Sequence, residues 1–146
     1  MSCEIRGLRV DRRTRARELA MQSLYQLDVQ GRDILGYLPE FFLENEPDET
    51  VRNLAWEWTK GTWENITQCD ELIVESTLKW KLSRLCPVDR SILRLSVYQF
   101  KHCTDIPPRV IINEAVELAK KYGSEKSFAF VNGVLDAVLK KIEKQL

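Results

Sequence analysis

The chain predicts an all-α fold, a bundle of about seven helices, and three observations carry that prediction. Apolar residues recur at three- and four-residue spacing through most of the chain. Prolines and glycines are few and fall at the ends of those stretches. No strand-like alternation bounded by tight hairpin turns occurs. A length of 146 residues suits one domain, 1–146, with residues 1–12 as a flexible basic arm.

The elements follow in order. Ala16, Leu19, Ala20, Leu24 and Leu27 predict an amphipathic helix from about 13 to 29, and Gly31 ends it. A second helix spans about 33 to 44, bounded by the acidic segment around Pro47. Asp48 or Thr50 caps the next, where Val51, Leu54, Ala55, Trp58 and Ile66 form a stripe to about 68. Leu72 to Leu85 reads as two short helical pieces. Pro87 suits a first helical turn. From Val88 to Cys103 the apolar residues nearly surround the axis, which predicts a central, buried helix. Pro107 and Pro108 break it. Val110 to Tyr122 is the next helix, with Gly123 as C-cap. Ser124 caps the last, which aligns Phe128, Val131, Leu135, Val138 and Ile142 on one face. Trp56, Trp58, Trp63 and Trp80 read as packing residues.

Formal charge is zero, yet it is unevenly spread. Residues 1–25 carry six arginines, whereas residues 39–50 carry Glu40, Glu44, Glu46, Asp48 and Glu49 with no base. A neutral total therefore does not exclude a polyanion partner, since binding depends on the local field. No apolar run reaches membrane-spanning length and no signal segment opens the chain, so a cytoplasmic protein with no membrane partner is expected.

Motifs for catalysis are missing. There is no Walker-type or dinucleotide-binding glycine loop, no nucleophile elbow and no zincin motif. His102 is the one histidine, and its helix-end position suits the dipole. Glu114 and Glu117 read as ion-pair partners of Lys120 and Lys121. Cys3, Cys69, Cys86 and Cys103 are widely spaced and read as reduced thiols, mostly buried. The expectation is a non-enzyme with no metal and no cofactor.

One polar feature asks for a partner. Arg12, Arg13, Arg15 and Arg17 cluster where a helix is expected to start, and positive charge there costs ~0.3–1 kcal/mol per residue against the dipole. Guanidinium groups bind phosphates and stack on bases, so RNA contact is one reading and a solvated tail the other. Tyr25 is core by default, or else a stacking or partner surface. Phe128 and Phe130 lie about 200° apart on a helix, so one packs inward while the other can stay exposed near Lys121 and Lys126. Asp89 and Arg90 open the central helix; the dipole favours Asp89, and a grip on a partner is the alternative.

These residues resemble the NusB family of antitermination factors. The resemblance rests on Ala16-Arg17-Glu18-Leu19-Ala20-Met21-Gln22-Ser23-Leu24-Tyr25 and Val88-Asp89-Arg90-Ser91-Ile92-Leu93-Arg94-Leu95. It continues in Ile112-Asn113-Glu114-Ala115-Val116-Glu117-Leu118-Ala119-Lys120-Lys121-Tyr122-Gly123 and Phe130-Val131-Asn132-Gly133-Val134-Leu135-Asp136. It implies two helical subdomains and binding of the single-stranded boxA element of ribosomal RNA leader transcripts. It also implies a heterodimer with the ribosomal protein NusE, and through it the RNA polymerase elongation complex. Family members are monomers or homodimers. Carried over by position, RNA contact falls on Arg12, Arg13, Arg15, Arg17, Lys126, Ser127 and Phe130, and NusE contact on Tyr25 and Asp89. Thr14 departs from the family pattern by replacing a base, and Lys126 by replacing an acid. Asn113, Asn132 and Gly133 are expected to fix caps or close helix approach. Two rival readings stand beside this one. The first is the accessory module of an RNA cytosine methyltransferase, which would need a second domain. The second is an adaptor whose partner alone touches RNA.

Overall fold

The computed structural model describes residues 3–77 and 81–145, with side chains from 12 onward. Two expectations lie outside that range, the Cys3 thiol and Trp80 as a packing residue, while of residues 1–12, expected as a flexible arm, 3–12 belong to the first helix. Seven α-helices and two short 3-10 turns make up the described chain, with no strand among the described residues. The helices are α1 Cys3–Gln30, α2 Leu38–Asn45, α3 Glu49–Glu64, α4 Ile66–Ser76, α5 Pro87–His102, α6 Pro108–Tyr122 and α7 Ser127–Lys144. The chain divides into two units, Met1–Lys60 and Gly61–Leu146, so the boundary falls inside α3.

In the first unit, α1 starts well before residue 13, at Cys3. The arginines therefore sit inside the helix, and the expected penalty against its N-terminal dipole does not arise. Ala16, Leu19, Ala20, Leu24 and Leu27 are all buried, as the periodicity required. Gly31, at φ +89°, ends the helix in a backbone region that side chains disfavour. The expected second helix is split. A 3-10 turn over Arg32–Gly36 precedes α2, where Pro39 sits in the first turn and cannot sit deeper in a helix. Phe42 of α2 meets Trp56 of α3 edge to face, with ring centroids 6.3 Å apart. Asp48, not Thr50, caps α3: its Oδ1 accepts the Thr50 N–H at 2.9 Å.

In the second unit, the stripe expected to run to 68 is broken at Asn65. Its side-chain amide donates to the Gly61 carbonyl at 2.8 Å, offering the backbone an alternative to continued helix. Helix α5 is central, with α4, α6 and α7 packed on it. Its buried residues include Ile92, Leu93, Leu95, Val97 and Phe100, as predicted, and also polar ones. Two of these are satisfied locally: Ser91 donates to the Pro87 carbonyl and Ser96 to the Ile92 carbonyl. Arg94 grips Asp70 of α4 through two bonds of 2.7 and 3.0 Å. Arg90 ties down the segment before α5 by donating to the carbonyls of Leu82 and Leu85.

Candidate nucleic-acid interface

The expected site residues fall into two groups, one in each unit. In the first unit, Arg12, Arg13, Arg15 and Arg17 lie within a short stretch of α1, interrupted by Thr14 and Ala16. Arg12 and Arg13 are exposed and Arg15 is half-buried. Arg12 Nε lies 3.0 Å from Asp48 Oδ2. Arg15 bonds Glu18 on its own helix, donates to the Asn45 carbonyl at 2.8 Å, and lies 3.9 Å from Glu46 Oε1. Arg17 departs from the others. It is only 3 % exposed, and its guanidinium sits 5.2 Å from the Trp58 ring centroid. A cation so covered acts by joining α1 to α3 and offers no open face to a phosphate in this conformation. Tyr25 is 38 % exposed on α1, so the default core reading does not hold for it.

In the second unit, one open cavity of about 340 Å³ brings together Asp89, Lys126, Ser127 and Phe130. Arg84, Leu85, Cys86 and Ser124 complete its wall. Asp89 stands in the first turn of α5 and is 9 % exposed. Burial pushes its carboxyl above the usual range, and a hydrogen bond from Ser127 opposes that shift. Its Oδ1 is buried without a hydrogen-bond partner among the described residues. Ser127 is itself buried, and its Oγ accepts the Ser124 N–H at 2.9 Å. The expected cap is thus reversed: Ser127, the first residue of α7, holds Ser124 rather than being capped by it. Ser127 shapes the cavity, while Lys126 stands exposed at its edge.

The aromatic pair is also resolved. Phe128 is the exposed ring, at 42 %, and Lys120 rather than Lys121 or Lys126 lies over it at 5.6 Å. Phe130 is half-buried and lines the cavity. Phe128 therefore leaves the apolar face of α7, which begins at Val131. Lys120 pairs with Glu117 at 3.5 Å, as read from the sequence. His102 stacks on Tyr98 with centroids 5.0 Å apart.

Sequence reasoning missed two contributors to the cavity, and it read Gly123 as the C-cap of α6, which it is. Arg84 and Cys86 enter the cavity from the segment before α5, which carries no helical period to place it. Gly123 is needed for proximity, not for a left-handed turn. Its φ is −93°, but an added Cβ would lie 2.7 Å from the Ala119 carbonyl oxygen and closer still to Ser127. Gly133, by contrast, has nothing within 4 Å of such a Cβ, so close helix approach does not explain it.

No helix among the described residues is long and apolar enough to cross a membrane. The NusB family model matches residues 14–140. A transcription antitermination protein NusB of Anaeromyxobacter dehalogenans strain 2CP-1 is 49 % identical over 128 residues, covering 87 % of this chain and 89 % of that protein. One from Bacillus cereus strain B4264 is 43 % identical over 129 residues, covering 87 % and 96 %. The fold is similar to that of T. maritima NusB, with a TM-score of 0.78, 37 % identity, and 92 % and 97 % of the two chains covered. It is also similar to a chain from a crystal structure of the antitermination factors NusB and NusE in complex with dsRNA. There the TM-score is 0.82 at 30 % identity, with 90 % and 98 % covered. On these grounds the chain belongs to the NusB family, a family of transcription antitermination factors rather than enzymes.

Proposed function

We propose that this chain binds the single-stranded boxA element of ribosomal RNA leader transcripts together with the ribosomal protein NusE. The complex would join the RNA polymerase elongation complex and promote processive transcription and maturation of ribosomal RNA. The observation that carries this reading is the likeness to a NusB chain solved with NusE and RNA. Two features of this chain support it. Arg12, Arg13 and Arg15 offer guanidinium donors along α1, suited to phosphate oxygens. Phe128 and Phe130, close in sequence to Lys126, supply rings for unpaired bases, which favours a single strand over a duplex.

Within this proposal the expected residues divide by role. Arg12, Arg13, Arg15 and Lys126 contact RNA. Phe130 offers an aromatic wall, while Ser127 and Asp89 maintain the cavity it lines. Arg17 orients α1 from beneath. Tyr25, exposed on α1, faces NusE. The reading needs no cofactor and no catalysis.

The test is a titration of fluorescent boxA RNA and a scrambled control, with and without NusE. Preferential boxA binding that tightens with NusE is expected. Binding that appears only when NusE is present would favour an adaptor whose partner alone touches RNA. Equal, weak binding to both RNAs in both conditions would overturn the proposal.

A further inference from the structure

The arginines proposed to meet RNA are already engaged by carboxylates of their own chain. Between α2 and α3 runs a short acidic connection, and two of its side chains face α1. Asp48 holds Arg12 at 3.0 Å, and Glu46 lies 3.9 Å from Arg15. The Asn45 carbonyl accepts a further bond from Arg15 at 2.8 Å. The connection is itself fixed. Arg52 of α3 donates to the carbonyls of Glu46 and Pro47, each at 2.8 Å, and Asp48 caps α3. An anchored loop thus presents anionic and carbonyl oxygens to the side chains that a phosphate backbone would use.

We propose that Glu46 and Asp48 are affinity-setting residues: they compete with RNA for Arg15 and Arg12, and RNA must displace them. This inference rests on the RNA-binding reading above. The pairs have the strength such a role needs. Arg12 and Asp48 are well solvated, with side-chain exposures of 46 % and 32 %, so their attraction is screened and readily exchanged. The second oxygen of Glu46 is buried with no hydrogen-bond partner among the described residues. At 3.9 Å, Arg15 lies at the long end of ion-pair distance from the other oxygen, so this pair too is open to exchange. Glu18, one turn from Arg15 on α1, is not part of the connection and can stay in place.

A rival role would be support, in which the acids hold the arginines in the geometry RNA requires. The two roles predict opposite signs. Competition predicts that Glu46→Gln with Asp48→Asn tightens RNA binding, and one solvated and one half-buried pair of ordinary strength correspond to a Kd roughly two- to tenfold lower. It also predicts a steeper fall of log K with log salt, because the freed acids of the unsubstituted protein take up cations as RNA binds. Asparagine caps a helix as well as aspartate does, so the start of α3 is kept.

The experiment measures boxA RNA affinity over a salt series for the full chain, this double variant, and a control carrying Glu40→Gln with Glu44→Gln. The control removes the same charge from the same acidic segment, but neither of its residues pairs with Arg12 or Arg15. Tighter binding and a steeper slope in the first variant, beyond any change in the control, are expected. Unchanged or weaker binding would overturn the competition, as would an equal gain in the control. If the double variant unfolds, the single substitutions carry the same test. Failure of the unsubstituted chain to bind RNA at all would instead sink the RNA reading, and this inference with it.

Discussion

At Asp89 a carboxylate is buried at the start of a helix with one oxygen unbonded, and its ionisation should show in stability. Burial raises its pKa above the unfolded value. The folded chain therefore holds that proton more tightly than the unfolded chain does. Its contribution to stability falls as pH rises through the window just above the usual carboxylate range. Asp89→Asn removes that dependence. The variant's melting temperature relative to the parent should be higher near about pH 7 than near about pH 3, and a constant difference would refute the assignment. The cysteines give a second single-residue contrast. Burial pushes the Cys69 thiol up to about 12, whereas Cys86 is exposed at the cavity wall. Brief alkylation followed by peptide mass mapping should label Cys86 in the native protein and Cys69 only after denaturation. Early labelling of Cys69 would show that its pocket opens. The expectation of mostly buried thiols holds for Cys69 and fails for Cys86, because the depth of a lone Asp or Cys depends on neighbours far along the chain.

Among the elements, the turn from α6 into α7 shows that glycines in one sequence block serve different ends. Gly123→Ala forces its new methyl against the Ala119 carbonyl and Ser127, and should cost about 1–3 kcal/mol in denaturant unfolding. Gly133→Ala, in a helix with open space around it, should instead stabilise by about 0.5–1 kcal/mol. Equal effects from the two would contradict the packing described. Helix existence and type were legible wherever the apolar period was long. Ile92, Leu93, Leu95 and Val97 announced a buried α5, and Pro87 marked a helix start that the structure keeps. Breaks were less so. The split at Asn65 depends on a side-chain bond to Gly61, and that before α2 on a 3-10 turn, neither of which interrupts the periodicity.

For the molecule as a whole, the unequal charge distribution outweighs the zero total. The arginine-rich stretch and the acid-rich stretch, opposite in sequence composition, meet through Arg12, Arg15, Glu46 and Asp48. With Arg17 covered by Trp58, the cations proposed to contact RNA are Arg12, Arg13, Arg15 and Lys126. Neutralising about four phosphates of a single strand gives a slope of log K against log salt near −3. A slope near zero would remove the electrostatic basis of binding. Arg13→Ala with Arg15→Ala should weaken binding and leave the melting temperature nearly unchanged; collapse of the fold would make those side chains structural. The site was partly legible in composition: the arginines stood out as a cluster. That one of them is buried, and that others answer to acids some thirty residues away, required the fold.

The depth of α5 has a practical consequence. A helix surrounded on nearly all sides by packed neighbours has few local openings through which its backbone amides can meet solvent. Those amides should exchange with deuterium chiefly when the chain around them unfolds, so their rate reports its free energy. Any molecule that binds only the native state slows that rate by the factor 1 + [L]/Kd. A few slow amides between Ile92 and Val97 would then serve as an internal gauge of association, reading RNA and protein ligands on one scale without a label on either.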